Sequence, residues 1–215
     1  MGGVSAGPNV KRGTFAGPAQ LEGRLCRLER LGREHAQALA AAAAEDPSLY
    51  EWTWVPDSLE SARAYVEEAL TGPYVAFATV RLADGRIVGS TRFRLEFWDW
   101  PAGHPEHGRP SPDMVEIGWT WLAASALRSG INTEAKLLML RHAFETWRVH
   151  AVRLTTDARN ARSRTAIERL GATLDGVIRA ARPAADGTVR DSAFYTIAAA
   201  DWPAVRDRLE GLLSR

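Results

Sequence analysis

Cysteine is nearly absent: Cys26 stands alone among 215 residues. One thiol makes neither a disulfide framework nor a thiolate metal cluster, so no metal is expected. Lysine is almost missing too. Only Lys11 and Lys136 occur among 27 basic residues, and every other cation is arginine. With abundant alanine, that bias points to a GC-rich, bacterial coding genome. No apolar run approaches the roughly 20 residues that a membrane-spanning helix needs, so no membrane is expected. The net charge of +1 removes any bulk electrostatic argument for nucleic acid.

What is present is an ordinary globular composition, 46% apolar and 25% charged. The length suits one domain with an ample core. Residues 1–20 are rich in Gly, Ala and Pro and lack the apolar stretch of a signal peptide. They are expected to form a disordered leader before a single domain at 21–215. A reducing, cytoplasmic setting follows from the lone thiol.

Periodicity divides the domain. Leu21–Leu31 alternates as a strand and leads into an Ala-rich helix at Arg33–Ala44, stopped by Asp46-Pro47. An aromatic loop, Tyr50 to Pro56, precedes a helix that Ser58 caps. Tyr74–Arg81 and Ile87–Phe97 read as a hairpin around Asp84-Gly85. Trp98–Pro112 is a loop and Met114–Leu122 a strand. A helix follows whose apolar stripe is Leu137, Leu140, Phe144 and Trp147. Then come a strand at His150–Thr156, a helix at Asn160–Leu170, a second hairpin around Asp186-Gly187, and a last helix capped by Asp201. The order β-α-α-β-β-β-α-β-α-β-β-α is a mixed α+β pattern.

The organising stretch is Leu127-Arg128-Ser129-Gly130-Ile131-Asn132-Thr133, between the strand at 114–122 and the long helix. A Gly-containing turn at a helix start presents free backbone N–H groups, a ready anion site. Arg128 adds a positive charge, and Gly130 permits a backbone that other residues resist. On these residues alone, a plain strand-to-helix turn is an equal reading.

Three signatures stand in order along this pattern. Glu116-Ile117-Gly118-Trp119 lies on the central strand, Leu127 to Lys136 forms the loop and helix start, and Asn160-Ala161-Arg162-Ser163 runs on to Gly171-Ala172. Together they resemble the GNAT superfamily of acyl-CoA-dependent N-acyltransferases, and its RimL/RimJ-like branch most closely, over roughly Leu21–Leu212. Leu127 departs from the Gln or Arg that usually opens the family loop. The resemblance implies a GNAT-like fold, a mixed central sheet of about seven strands with helices on both faces. It further implies acetyl transfer from acetyl-CoA to a primary amine, by direct attack in a ternary complex.

On that resemblance, Leu127–Thr133 would hold the cofactor diphosphate. Arg159, Arg162, Arg164 and Arg169 make a basic edge at the helix of 160–170, open to the ribose phosphate or a nucleic-acid acceptor, with a solvated face as the plainer reading. Trp119, Trp121 and Leu122 would pair with the pantetheine arm, and Asn160 would lie beside it. Glu116 is the chosen general base; an ion pair with an arginine is its alternative role. Ser163 is the chosen acid, against a helix-face serine bonded to backbone. Tyr195 is the second candidate acid. Trp52, Trp54, Trp98 and Trp100 are expected around the acceptor, a small-molecule or peptide amine. Another donor, a longer acyl-CoA or an aminoacyl-tRNA, stays open, and nucleic acid is not expected unless tRNA is that donor. A non-catalytic CoA-binding module is the third reading, and the hairpin edges suggest a homodimer.

Overall fold

The computed structural model describes Phe15 and residues 17–214. Most of the leader expectation therefore lies outside the described residues. Its final part is packed: the Phe15 ring meets Trp147 edge-on at 5.3 Å, and Ala19 O accepts the Arg30 amide.

The described chain builds one eight-stranded sheet. The strands are β1 (Gln20–Glu22), β2 (Cys26–Arg30), β3 (Tyr74–Arg81), β4 (Ile87–Glu96), β5 (Met114–Leu122), β6 (Ala151–Asp157), β7 (Thr173–Pro183) and β8 (Val189–Ala198). Their spatial order is β1-β2-β3-β4-β5-β6-β8-β7. Every neighbouring pair is antiparallel except β5 and β6.

The helices are α1 (Ala36–Ala43), α2 (Leu59–Thr71), α3 (Ile131–Arg141), α4 (Ala161–Leu170) and α5 (Trp202–Leu213). Adjacent residues of a strand point to opposite faces, which assigns the layers. Arg92 reaches α2 through Glu68 and the Tyr65 carbonyl, whereas Thr91 meets Met139 and Lys136 of α3. So α2 covers one face and α3 the other. Trp202 on α5 stacks on Phe144, just past α3, which puts α5 with α3.

The strand count exceeds the sequence expectation by one. Leu21–Leu31 is two strands, turned at Gly23-Arg24-Leu25, because the Glu134 carboxylate collects three amides there. It accepts from Arg24 N at 2.8 Å, Leu25 N at 2.7 Å and Cys26 N at 2.8 Å. A Cβ on Gly23 would sit 2.4 Å from that carboxyl carbon, so a side chain there would displace the anchor. Other boundaries shift slightly. The helix expected from Arg33 begins with a 3-10 turn, and α3 closes in a π turn at His142–Thr146. Asp201 does not bond the first turn of α5; its carboxylate takes the Ala198 amide instead. Ser58 caps α2 as expected, accepting from Ser61 N.

Candidate active site

The sheet forks. β5 and β6 pair only at Met114↔Ala151, Val115↔Val152 and Glu116↔Arg153. Beyond that point Ile117–Leu122 stay with β4 and Leu154–Asp157 with β8 without pairing to each other, and a wedge opens between them. Ala123 N donates to Val88 O on the β4 side, so alternation turns the Leu122 main chain toward the wedge. There the Leu122 carbonyl accepts the Tyr50 hydroxyl at 3.0 Å. Trp121 turns its main chain to β4 and its ring into the core, edge-on to Tyr50. Of the two, Leu122 is the residue that offers a strand edge to a ligand.

A β-bulge bends β5 at the wedge. Trp119 and Thr120 together oppose the single residue Thr91, between the pairs Arg92↔Gly118 and Ser90↔Trp121. Trp119 takes φ 50°, a left-handed value that costs a residue with Cβ roughly 1–2 kcal/mol. Lys136 fixes the bulge from below. Its Nζ donates to Thr120 Oγ1 at 2.5 Å and to Thr91 Oγ1 at 3.2 Å.

The α3 entry turn stands at the wide end of the wedge. Arg128 and Gly130 both take positive φ, 57° and 84°. Ser129 Oγ donates to Ala126 O at 2.6 Å and accepts weakly from Ile131 N at 3.4 Å. The amides of Arg128, Ser129, Gly130, Asn132 and Thr133 donate to nothing among the described residues. Five open donors at a helix start, beside an Arg128 side chain that pairs with no carboxylate among the described residues, fit a diphosphate group. Gly130 fits the same purpose: a Cβ there would lie 2.9 Å from Leu25 Cδ1. Leu127 supplies no polar group to this turn and is partly exposed.

α4 begins across the wedge from α3. Asn160 Oδ1 caps it by accepting from Ser163 N at 2.9 Å, and Arg162 Nη2 reaches the Leu49 carbonyl at 2.6 Å. The Ser163 hydroxyl is half-exposed and bonds no other group among the described residues. Tyr195 is different. It is wholly buried beneath α4, its hydroxyl accepting from Arg164 Nε at 2.9 Å and donating to Glu168 Oε1 at 2.8 Å. Burial raises its pKa. Tyr195 and Arg164 therefore hold each other, and the expected basic edge of α4 is largely tethered.

Glu116 stands where the fork begins, 3% exposed. Its Oε2 lies 2.9 Å from Arg94 Nη2 but off the donor direction, so the pair attracts without a hydrogen bond. Arg94 aims that donor at Glu96 Oε1, 2.8 Å away. Both sequence-based roles for Glu116 thus meet at one atom: an ion pair that leaves a lone pair open.

The four tryptophans separate. Trp52 lies under the Arg159 guanidinium at 4.2 Å, and Arg159 is held by Asp157 beside the wedge. Trp54 is exposed on a surface hollow that it shares with Tyr50, Pro56 and Ala185. Trp98 and Trp100 are not brought to the open end. The amide of Trp98 and the indole of Trp100 both donate to Asp113, and Trp98 stacks on His150, at the closed end where β5 and β6 begin. Glu116 lies only two residues along β5 from Met114 at this closed end, roughly 7 Å. Glu106, Asp113 and His150 also converge there, but Arg109 Nη1 occupies their midst, 2.9 Å from Glu106 and 3.2 Å from His150 Nε2.

A forked mixed sheet with an amide-lined helix entry at its wide end is an acyltransferase architecture. The acetyltransferase (GNAT) domain model matches residues 26–173, and the chain belongs to this family. Among solved structures it is similar to a T. thermophilus protein classed as an acetyltransferase, at 35% identity and TM-score 0.76 over 93% of this chain and 99% of that one. A second protein so classed shares 36% identity at TM-score 0.75, over 91% and 94% of the two chains. RimL, a ribosomal-protein α-N-acetyltransferase, shares the fold at 17% identity and TM-score 0.69, covering 83% and 93%. No curated protein matches. No described helix is long and apolar enough to cross a membrane.

Proposed function

We propose that this acyltransferase moves an acetyl group from acetyl-CoA to a primary amine held in the same complex. The observation that carries the proposal is the row of open amides at Arg128–Thr133 facing the wide end of the fork. The donor brings the activated thioester; the chain binds, orients and moves protons. The α3 entry holds the diphosphate. The Leu122 edge aligns the amide arm as an added strand would. Glu116 Oε2 takes the proton that the attacking amine sheds, directly or through water, while Arg94 holds the carboxylate in place. Ser163 returns a proton to the departing thiolate, a role supported by its open hydroxyl and by the double engagement of the Tyr195 hydroxyl.

Titration calorimetry with acetyl-CoA tests this reading. The parent chain should bind, and Gly130→Val should weaken binding by about 100-fold or more, because a β-branched residue both strains φ 84° and pushes on Leu25. Equal affinity in the two chains would remove the α3 entry as the donor site.

A further inference from the structure

A set of buried polar atoms on the face opposite α4 goes unused by the donor site. Glu116 and Arg153 share that face, as do the residues that alternate with Leu154 on β6 and with Tyr195 on β8. Arg94 Nε, Glu116 Oε2, Thr155 Oγ1, Arg190 Nε and Ser192 Oγ are all buried there, and none has a hydrogen-bond partner among the described residues. Ser192 is fully buried and Glu116 nearly so. Buried polar groups are normally paired, so a cluster of open ones on adjoining strands marks a place built for something else.

The charges say what kind of molecule fits. Glu116 is matched by Arg94, and Asp157 by Arg159 at 2.8 Å. Arg190 has no carboxylate partner among the described residues, and its cross-strand neighbour is another arginine, Arg182. Like charges placed opposite each other on a ladder destabilise it. Burial and the Arg182 charge both push the Arg190 pKa down, while Glu116 and Asp157 lie close enough to offset part of that. One end of the cluster therefore holds a carboxylate with an open lone pair, and the other a guanidinium lacking an anion.

We propose that the acceptor of this enzyme is an amine that also carries a carboxylate, an amino acid in chemical class. Its amine lies at Glu116, its carboxylate against Arg190, and the Thr155 and Ser192 hydroxyls bond to it between. The proposal rests on the acetyl-transfer reading for the identity of the reaction, but not for the binding itself. Arg190 supplies the planar fork that a carboxylate matches.

The test uses α-amino acids and their carboxamides as paired probes, on the parent chain and on Arg190→Gln. Calorimetry without acetyl-CoA should show the free acids binding about tenfold or more tighter than the amides, with the preference gone in Arg190→Gln. In thiol-release assays the same variant should raise KM for the acids, leave kcat near the parent value, and leave the amides unmoved. Acetyl-CoA affinity should be equal in both chains, which separates acceptor loss from misfolding. Acids and amides bound equally by the parent, or affected equally by Arg190→Gln, would overturn the proposal. Failure of acetyl-CoA to bind would instead overturn the donor reading and leave the acid-over-amide comparison to decide this one.

Discussion

Glu134→Ala should lower the thermal midpoint by about 10 °C. Three amides of the β1–β2 turn end on this one carboxylate, each at 2.7–2.8 Å. The substitution leaves three donors with no acceptor. Bonds to a charged group are each worth about 1.5–3 kcal/mol, and relaxation of the turn recovers part of the loss, so the net cost is about 3–5 kcal/mol. At this chain length that is roughly 2–4 °C per kcal/mol. Glu134→Gln should fall between the two, because its amide end points an N–H at other N–H groups. Leu25 packs beside Gly130, so acetyl-CoA affinity should drop along with stability. Circular dichroism melts check the first effect; a midpoint within about 2 °C of the parent would show that the turn stands without its anchor.

Lys136→Met should abolish a pH dependence that the parent shows. Lys136 is buried at the foot of the bulge, and burial alone pulls its pKa from 10.5 down to about 7. No charged group among the described residues meets its amine. Glu134, on the same helix, is taken up by the β1–β2 turn, Cys26 on β2 bonds Ile131 O, and Thr91 and Thr120 offer only hydroxyls. Between the two pKa values the unfolded chain carries a proton that the folded chain lacks. Stability therefore rises with pH across that window, by up to about 1.4 kcal/mol per unit, and is flat below it. Cys26 works the other way. Burial raises its pKa, so its contribution is lost as pH climbs past the unfolded thiol's value. The quantity to read is accordingly the difference between parent and Lys136→Met in urea melts between about pH 7.5 and 9.5. It should shrink as pH rises if Met is the more stable at neutral pH; a constant difference would mean that Lys136 stays protonated in the fold.

Much of this molecule was legible in its residues. The hairpins followed from Asp-Gly steps, and Gly85 and Gly187 do take positive φ. The α3 entry followed from Gly130 after a strand. What escaped was set by contacts distant in the chain. The extra turn in Leu21–Leu31 depends on Glu134, more than 100 positions away. Alternation along β8 puts Arg190 and Ser192 on one face, yet nothing local says that this face lies against Glu116. Lys136 did leave a trace: it is one of only two lysines in a chain whose other basic residues are all arginine. Trp98 and Trp100 were legible only as an aromatic loop; that both donate to Asp113 and that Trp98 stacks on His150 depends on contacts distant in the chain.

The sheet is held across its middle by three rungs between β5 and β6. It behaves as a zip left part-way down. On the donor reading proposed above, a guest along the Leu122 edge would supply rungs that the chain itself omits and tighten the seam. Each turnover then opens and closes the seam, and amides flanking it should trade their hydrogens with solvent faster in the empty protein than in the loaded one.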